Sequence, residues 1–230
     1  MRLRAALAQD IRFQVRHGFY YAYAVLTAIY ILLLRVLPDP FVFPTLTLIL
    51  FTDICALGFF FIGAIVLLEK GQNLTDSLFV TPLRLHEYLV SKLLSFLLLS
   101  LASASLIAIG GGVRGHDSLL FILGLILSAG LYTLFGLIFA ARARHVNDYF
   151  VRALGLGLLI SLPVLSYIGL FDTALFYAFP TRATLILLDV LGKDYLLGEK
   201  LYAVGNLILW GLVMGYFAYH RFEKYVRHPA

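Results

Sequence analysis

The chain has 230 residues, 61% of them hydrophobic and 13% charged. Soluble domains carry about a quarter of their residues as charges, so this composition excludes a soluble globular protein and leaves room for one membrane-embedded helical domain. The net charge of +5 marks orientation in a membrane rather than a nucleic-acid surface, and a lone cysteine, Cys55 inside an apolar run, rules out a disulfide framework or a clustered cysteine metal motif.

Residues 1–18 are polar and basic. Leu3, Leu7, Ile11 and Val15 recur every four residues with Arg12 and Arg16 on the far side, while Arg4 and Gln14 interrupt the apolar arc. The pattern predicts an interfacial helix whose arginines face anionic head groups; a disordered basic tail is the other reading. The basic start reaches Arg16 before any long apolar run, unlike a cleaved signal peptide.

Six runs are long enough to cross a bilayer, given about 20 residues at 1.5 Å rise for a hydrocarbon core of about 30 Å. They lie near 19–37, 44–68, 89–109, 119–141, 153–171 and 201–219, followed by a tail at 220–230. The predicted fold class is an all-α membrane protein with six transmembrane helices. Pro38-Asp39-Pro40 makes the first turn and Gly110-Gly111-Gly112 opens the third connection. Thirteen of the 18 Lys and Arg residues fall on one side; Arg35, Arg114, Arg182, Lys193 and Lys200 fall on the other. By the positive-inside bias both termini and the connection between spans 2 and 3 are cytoplasmic.

That connection, Glu69 to Lys92, is the longest polar interruption before residue 140. After Glu69, Lys70 and Gly71, the residues Leu74, Leu78 and Phe79 are spaced for one helical face, and Thr81-Pro82 then breaks the segment, because proline lacks an N–H and disfavours helix in the residue before it. A short helix held between two spans is a handle a soluble partner can push; a solvated loop is the alternative. On the other side, the connection from Asp172 to Lys200 is too long for a turn. Its apolar stretch Ala183–Leu191 is too short to span, so it reads as a re-entrant helix or as a helix lying in the outer leaflet.

Asp53 lies about nine residues into the second span. A carboxylate at mid-span costs roughly 2.5–3.5 kcal/mol on insertion scales, so it faces protein or water. It either lines a substrate path or is a protonated group bonded to another helix. Phe59, Phe60 and Phe61 could touch an apolar substrate or simply pack. Arg35 and Arg152 are placed to snorkel, Pro163 to kink the fifth span, and the serines and alanines of the third span to permit close packing. The chain lacks the GxxxxGK[ST] phosphate loop, HExxH and GxSxG.

Glu69-Lys70-Gly71, Leu78, Val80-Thr81-Pro82-Leu83, Glu87-Tyr88-Leu89 and Ser91-Lys92 together resemble the cytoplasmic coupling segment of ABC-2 type transporter permeases. Gln72 and Asn73 depart from the threonine and glutamate often found after that glycine. The small size and the stretch TPLRLHEYLVSK are similar to those of bacterial drug-export permeases, including those described as fluoroquinolone exporters. The resemblance implies an elbow helix before span 1, a coupling helix between spans 2 and 3, and short helices dipping back between spans 5 and 6. It further implies a bacterial or archaeal cytoplasmic membrane, a second permease copy as homodimer or paralogue, and a separate ATP-binding-cassette ATPase that holds the ATP and magnesium. Coupling is then expected of Glu69, Gly71, Leu74, Leu78, Thr81 and Pro82, with Asp53, Phe59 and Phe60 on the substrate path and no cofactor, metal or catalytic residue in this chain. An intramembrane enzyme using Asp53 and a non-catalytic anchor or assembly subunit are the competing readings.

Overall fold

The computed structural model describes residues 2–72, 84–113, 117–143 and 145–227. Every regular element among them is helical. Among the described residues, five helices are long and apolar enough to cross a membrane.

Helix α1 (Arg2–Arg16) leads into α2 (Phe19–Val36) through Gly18. This turn needs φ = +81°, which glycine adopts without a Cβ penalty. Helix α3 runs from Asp39 to Gly71 as one 33-residue span. It starts five residues before the predicted 44–68 run because Pro40 sits in its first turn, where a missing N–H costs nothing. Helix α4 covers Leu85–Gly110 and α5 covers Ser118–Arg142. Helix α9 covers Leu197–Arg227 and continues without a break through the predicted boundary at 219.

The predicted fifth span is divided. Helix α6 (Val146–Ile160) ends before Pro163, three turn residues intervene, and α7 (Val164–Tyr167) adds a single turn. Proline removes one helical hydrogen bond and restricts the residue before it, so the chain stops where a kink was expected. After a 3₁₀ turn at Ala174–Ala178, helix α8 (Pro180–Asp189) occupies the apolar stretch of the long connection.

Helix α8 is buried along its length except at Arg182, against α3, α5 and α9, rather than lying in a leaflet. Its hydroxyls explain how a short helix is tolerated there. Thr181 donates to the Ile160 carbonyl at 2.7 Å and contacts the Tyr132 hydroxyl at 3.0 Å, and Ser128 donates to Thr184 at 3.1 Å. The carbonyls of the 3₁₀ turn are taken by α9: Tyr202 donates to Tyr177 at 2.5 Å and Trp210 to Ala178 at 3.0 Å. Irregular backbone packed inside a bundle needs such internal partners.

Midway along α3 the hydrogen bonding widens to i→i+5 over Ala56–Phe61. Two contacts surround this bulge. Gly58 and Gly136 let α3 and α5 cross so closely that a Cβ on Gly136 would meet the Gly58 carbonyl. Tyr149 of α6 donates its hydroxyl to the Phe59 carbonyl, a group inside the widened ladder.

Candidate functional site

The junction where α3 ends and α4 begins is built from adjacent residues that turn to different helices. Lys70 donates to the Ala140 and Ala141 carbonyls at 2.8 and 3.1 Å, at the C-terminal turn of α5. A cation is favoured at this negative end of a helix. Glu69 turns the other way, is 4% exposed, and accepts a hydrogen bond from the Tyr88 hydroxyl at 2.9 Å and an ion pair from Lys92.

On α4, Tyr88, Ser91, Lys92 and Ser95 fall at i, i+3, i+4 and i+7, one helical face. On α1, Asp10 and Gln14 fall one turn apart and lie against that face. Ser91 donates to Asp10 at 2.7 Å, Lys92 pairs with Asp10 at 2.5 Å, and Gln14 donates to Ser95 at 2.9 Å. Lys92 is 1% exposed and sits between two carboxylates from two other helices. Glu87 accepts the Arg84 backbone N–H at 2.9 Å and closes the first turn of α4, satisfying a donor that the helix itself cannot. Phe222 near the end of α9 packs on the Tyr88 ring at 6.0 Å. Five helices thus meet around the two ends of the 73–83 segment.

This corrects two expectations. The buried face of α1 includes Asp10 and Gln14, while Val15 is exposed; polar groups turn inward because α4 supplies their partners. Arg35 does more than snorkel: its Nε donates to the Gly110 carbonyl at 2.6 Å, which anchors the far end of α2 to the last residue of α4.

Of the residues expected in coupling, Glu69 belongs to the buried cluster and Gly71 is the exposed last residue of α3. Leu74, Leu78, Thr81 and Pro82 lie outside the described residues. Asp10 carries no role in the sequence reading, and Tyr88 and Lys92 enter it only as part of the coupling-segment resemblance, not as members of a buried cluster. The available signal was a run of polar residues, Ser91, Lys92 and Ser95, on a helix entering an apolar span.

Asp53, Phe59 and Phe60 go to different neighbours. Asp53 is 2% exposed, and its Oδ2 accepts from Ser103 at 3.3 Å; Ser103 in turn contacts Thr27 at 3.2 Å. Among the described residues, its Oδ1 and the buried Tyr23 hydroxyl have no hydrogen-bond partner. Phe59 stacks on Phe135 of α5 at 5.6 Å, and Phe60 on Phe150 of α6 at 5.6 Å. No group of acids, histidines and cysteines that could hold a metal occurs among the described residues.

Asp10, Glu69 and Lys92 tie α1, the end of α3 and the start of α4 together. The sequence matches the Fluoroquinolones export permease protein family over residues 1–229. It is 32% identical over 188 residues to the fluoroquinolones export permease protein of Mycobacterium tuberculosis, in strain CDC 1551 / Oshkosh and equally in strain H37Rv, covering 81% of this chain and 79% of each relative. A membrane bundle with five long apolar helices and a match along almost the whole chain agree, and the protein belongs to the Fluoroquinolones export permease protein family.

Proposed function

We propose that this chain is the membrane-spanning permease of an ATP-driven exporter of drugs or similar amphipathic molecules, fluoroquinolones among them, with ATP hydrolysed by a separate ATPase chain. The observation that carries the reading is the buried Asp10–Lys92–Glu69 cluster. It ties α1, the end of α3 and the start of α4 into one unit, so a push on the chain that links α3 to α4 moves three helices together. Packed elements shift between discrete arrangements rather than bending continuously, which fits alternating access by rigid-body tilting. The names of the relatives support this cargo class, and the charge bias of the sequence supports a cytoplasmic position for the termini and this junction.

In this reading Glu69, Gly71, Leu74, Leu78, Thr81 and Pro82 receive the motion. The broken α6–α7 stretch completes a sixth crossing, and a second copy completes the path. Asp53 lies on the α2–α3–α4 seam, so it reaches a substrate only when α2 moves away from the other two. The test is purification of the tagged chain from native membranes in mild detergent. An ATP-binding-cassette ATPase is expected to accompany the wild type and to be lost from Leu78→Asp, with insertion unchanged. A permease that exports with no associated ATPase would overturn the proposal.

A further inference from the structure

At the end of the bundle opposite the Asp10–Lys92–Glu69 cluster, the start of α3, the end of α8 and the α7–α9 connections line a half-open cavity of about 630 Å³. This lies within the range of about 300–1,000 Å³ typical of small-molecule sites. Its floor is Asp189, 7% exposed. Three hydroxyls donate to this carboxylate: Thr47 at 3.1 Å, Tyr167 at 2.8 Å and Tyr195 at 2.8 Å. Burial first, and the bond to Asp189 second, hold the Tyr195 phenol well above its usual range, so it stays a donor.

Two features set this carboxylate apart from a structural one. It is the last residue of α8, where the helix dipole presents its negative end and disfavours an anion. It also has no Lys, Arg or His within ion-pair distance among the described residues, although buried charges are normally paired. The other charges on the walls do not compensate. Arg182 is committed to Asp172 at 3.5 Å, while Asp39 and Glu199 add negative charge. The one remaining cation, Lys193, is exposed and lies over the Tyr195 ring at 4.9 Å. That ring face therefore already accepts a cation, and the rings of Phe43 and Tyr167 stand nearby on the same walls.

We propose that this cavity binds an organic cation with an aromatic body, its ammonium group beside Asp189 and its ring against Tyr167, Tyr195 and Phe43. The carboxylate supplies the counter-charge and the ring faces supply cation–π and stacking contact. If the export reading holds, this is where cargo rests before release; the binding itself does not depend on that reading.

The experiment uses the full chain in lipid nanodiscs and follows fluorescence anisotropy of ethidium, an aromatic cation, and of anilinonaphthalene sulfonate, an aromatic anion. Asp189→Asn is expected to weaken ethidium by about tenfold or more, the size of one lost charge contact, and to leave the anion unchanged. Lys193→Glu changes an exposed side chain at the mouth and is expected to tighten ethidium, which keeps the test decisive should Asp189→Asn fold poorly. Ethidium affinity indifferent to both substitutions, or an anion that depends on Asp189 as strongly as the cation, would overturn the proposal. Binding is read without the ATPase, so a negative result leaves the export reading standing, and failure of ATPase association leaves the cavity's binding standing.

Discussion

At the scale of single residues, Lys92 is a buried cation held between two carboxylates. A lysine that is 1% exposed has given up its hydration, and the two carboxylates of Asp10 and Glu69, with the Tyr88 ring face 5.3 Å away, offset that cost. Removing one partner of a buried ion pair costs about 3–5 kcal/mol, because it leaves uncompensated charge, whereas replacing the whole set with neutral groups is often tolerated. Lys92→Met is therefore expected to lower the thermal unfolding midpoint in detergent by a large margin, since it leaves two facing acids. Adding Asp10→Asn and Glu69→Gln to that variant should restore most of the loss. A triple variant no more stable than Lys92→Met alone would show that the cluster contributes by packing rather than by charge. The single substitution also separates this cluster from an exposed pair such as Arg152–Asp148, 2.8 Å apart with the arginine side chain 48% exposed, where a surface ion pair contributes about 0–1 kcal/mol.

At the scale of elements, the bulge in α3 shows where sequence reading stops. Hydropathy located α2, α4 and α5 within a few residues of the observed helices, and α9 at its start though not at its end, because a run of twenty apolar side chains has few other solutions. It clipped their polar ends: α4 begins at Leu85 rather than 89 and α9 runs to Arg227 rather than 219. Hydropathy reports where the hydrocarbon lies, not where helix ends. The bulge left no such trace, since Ala56–Phe61 is as apolar as its flanks and its geometry depends on α5 and α6. The same holds for Asp10 and Gln14, whose inward aim depends on α4. Two substitutions test the bulge. Tyr149→Phe leaves the Phe59 carbonyl without its hydroxyl donor and should cost about 1–3 kcal/mol, the penalty of one unsatisfied buried group. Gly136→Ala should cost considerably more, because its methyl meets the Gly58 carbonyl and Ile62, and backbone at a helix crossing cannot yield. Equal melting points for the two variants would mean that the close crossing relaxes freely.

At the scale of the whole molecule, burial sorts the helices. The most apolar windows of α3 and α5 are 67% and 61% buried, and those of α2 and α9 only 17% each, so α3 and α5 form the interior and α2 and α9 the periphery. Helix α6 fits neither class. At 15 residues it rises about 22 Å, short of a hydrocarbon core of about 30 Å, and the turns that follow it carry backbone groups that lipid cannot satisfy. Yet its outer face is apolar, with Val151 71% and Leu158 70% exposed, and Gly155 between them has open space where a side chain would stand. A short helix with a small residue centred on an apolar face is suited to a second protein surface, since close approach of backbones is what such residues permit in membranes. In a two-fold dimer the same face meets itself. A single cysteine at Leu158, in a Cys55→Ser background, is therefore expected to cross-link two copies in membranes. A cysteine at Leu212 of α9, also 70% exposed, is expected not to. Because the two positions are equally exposed in one protomer, the difference between them reports the partner alone; cross-linking through Leu212 and not Leu158 would move the interface to α9 and leave α6 facing lipid.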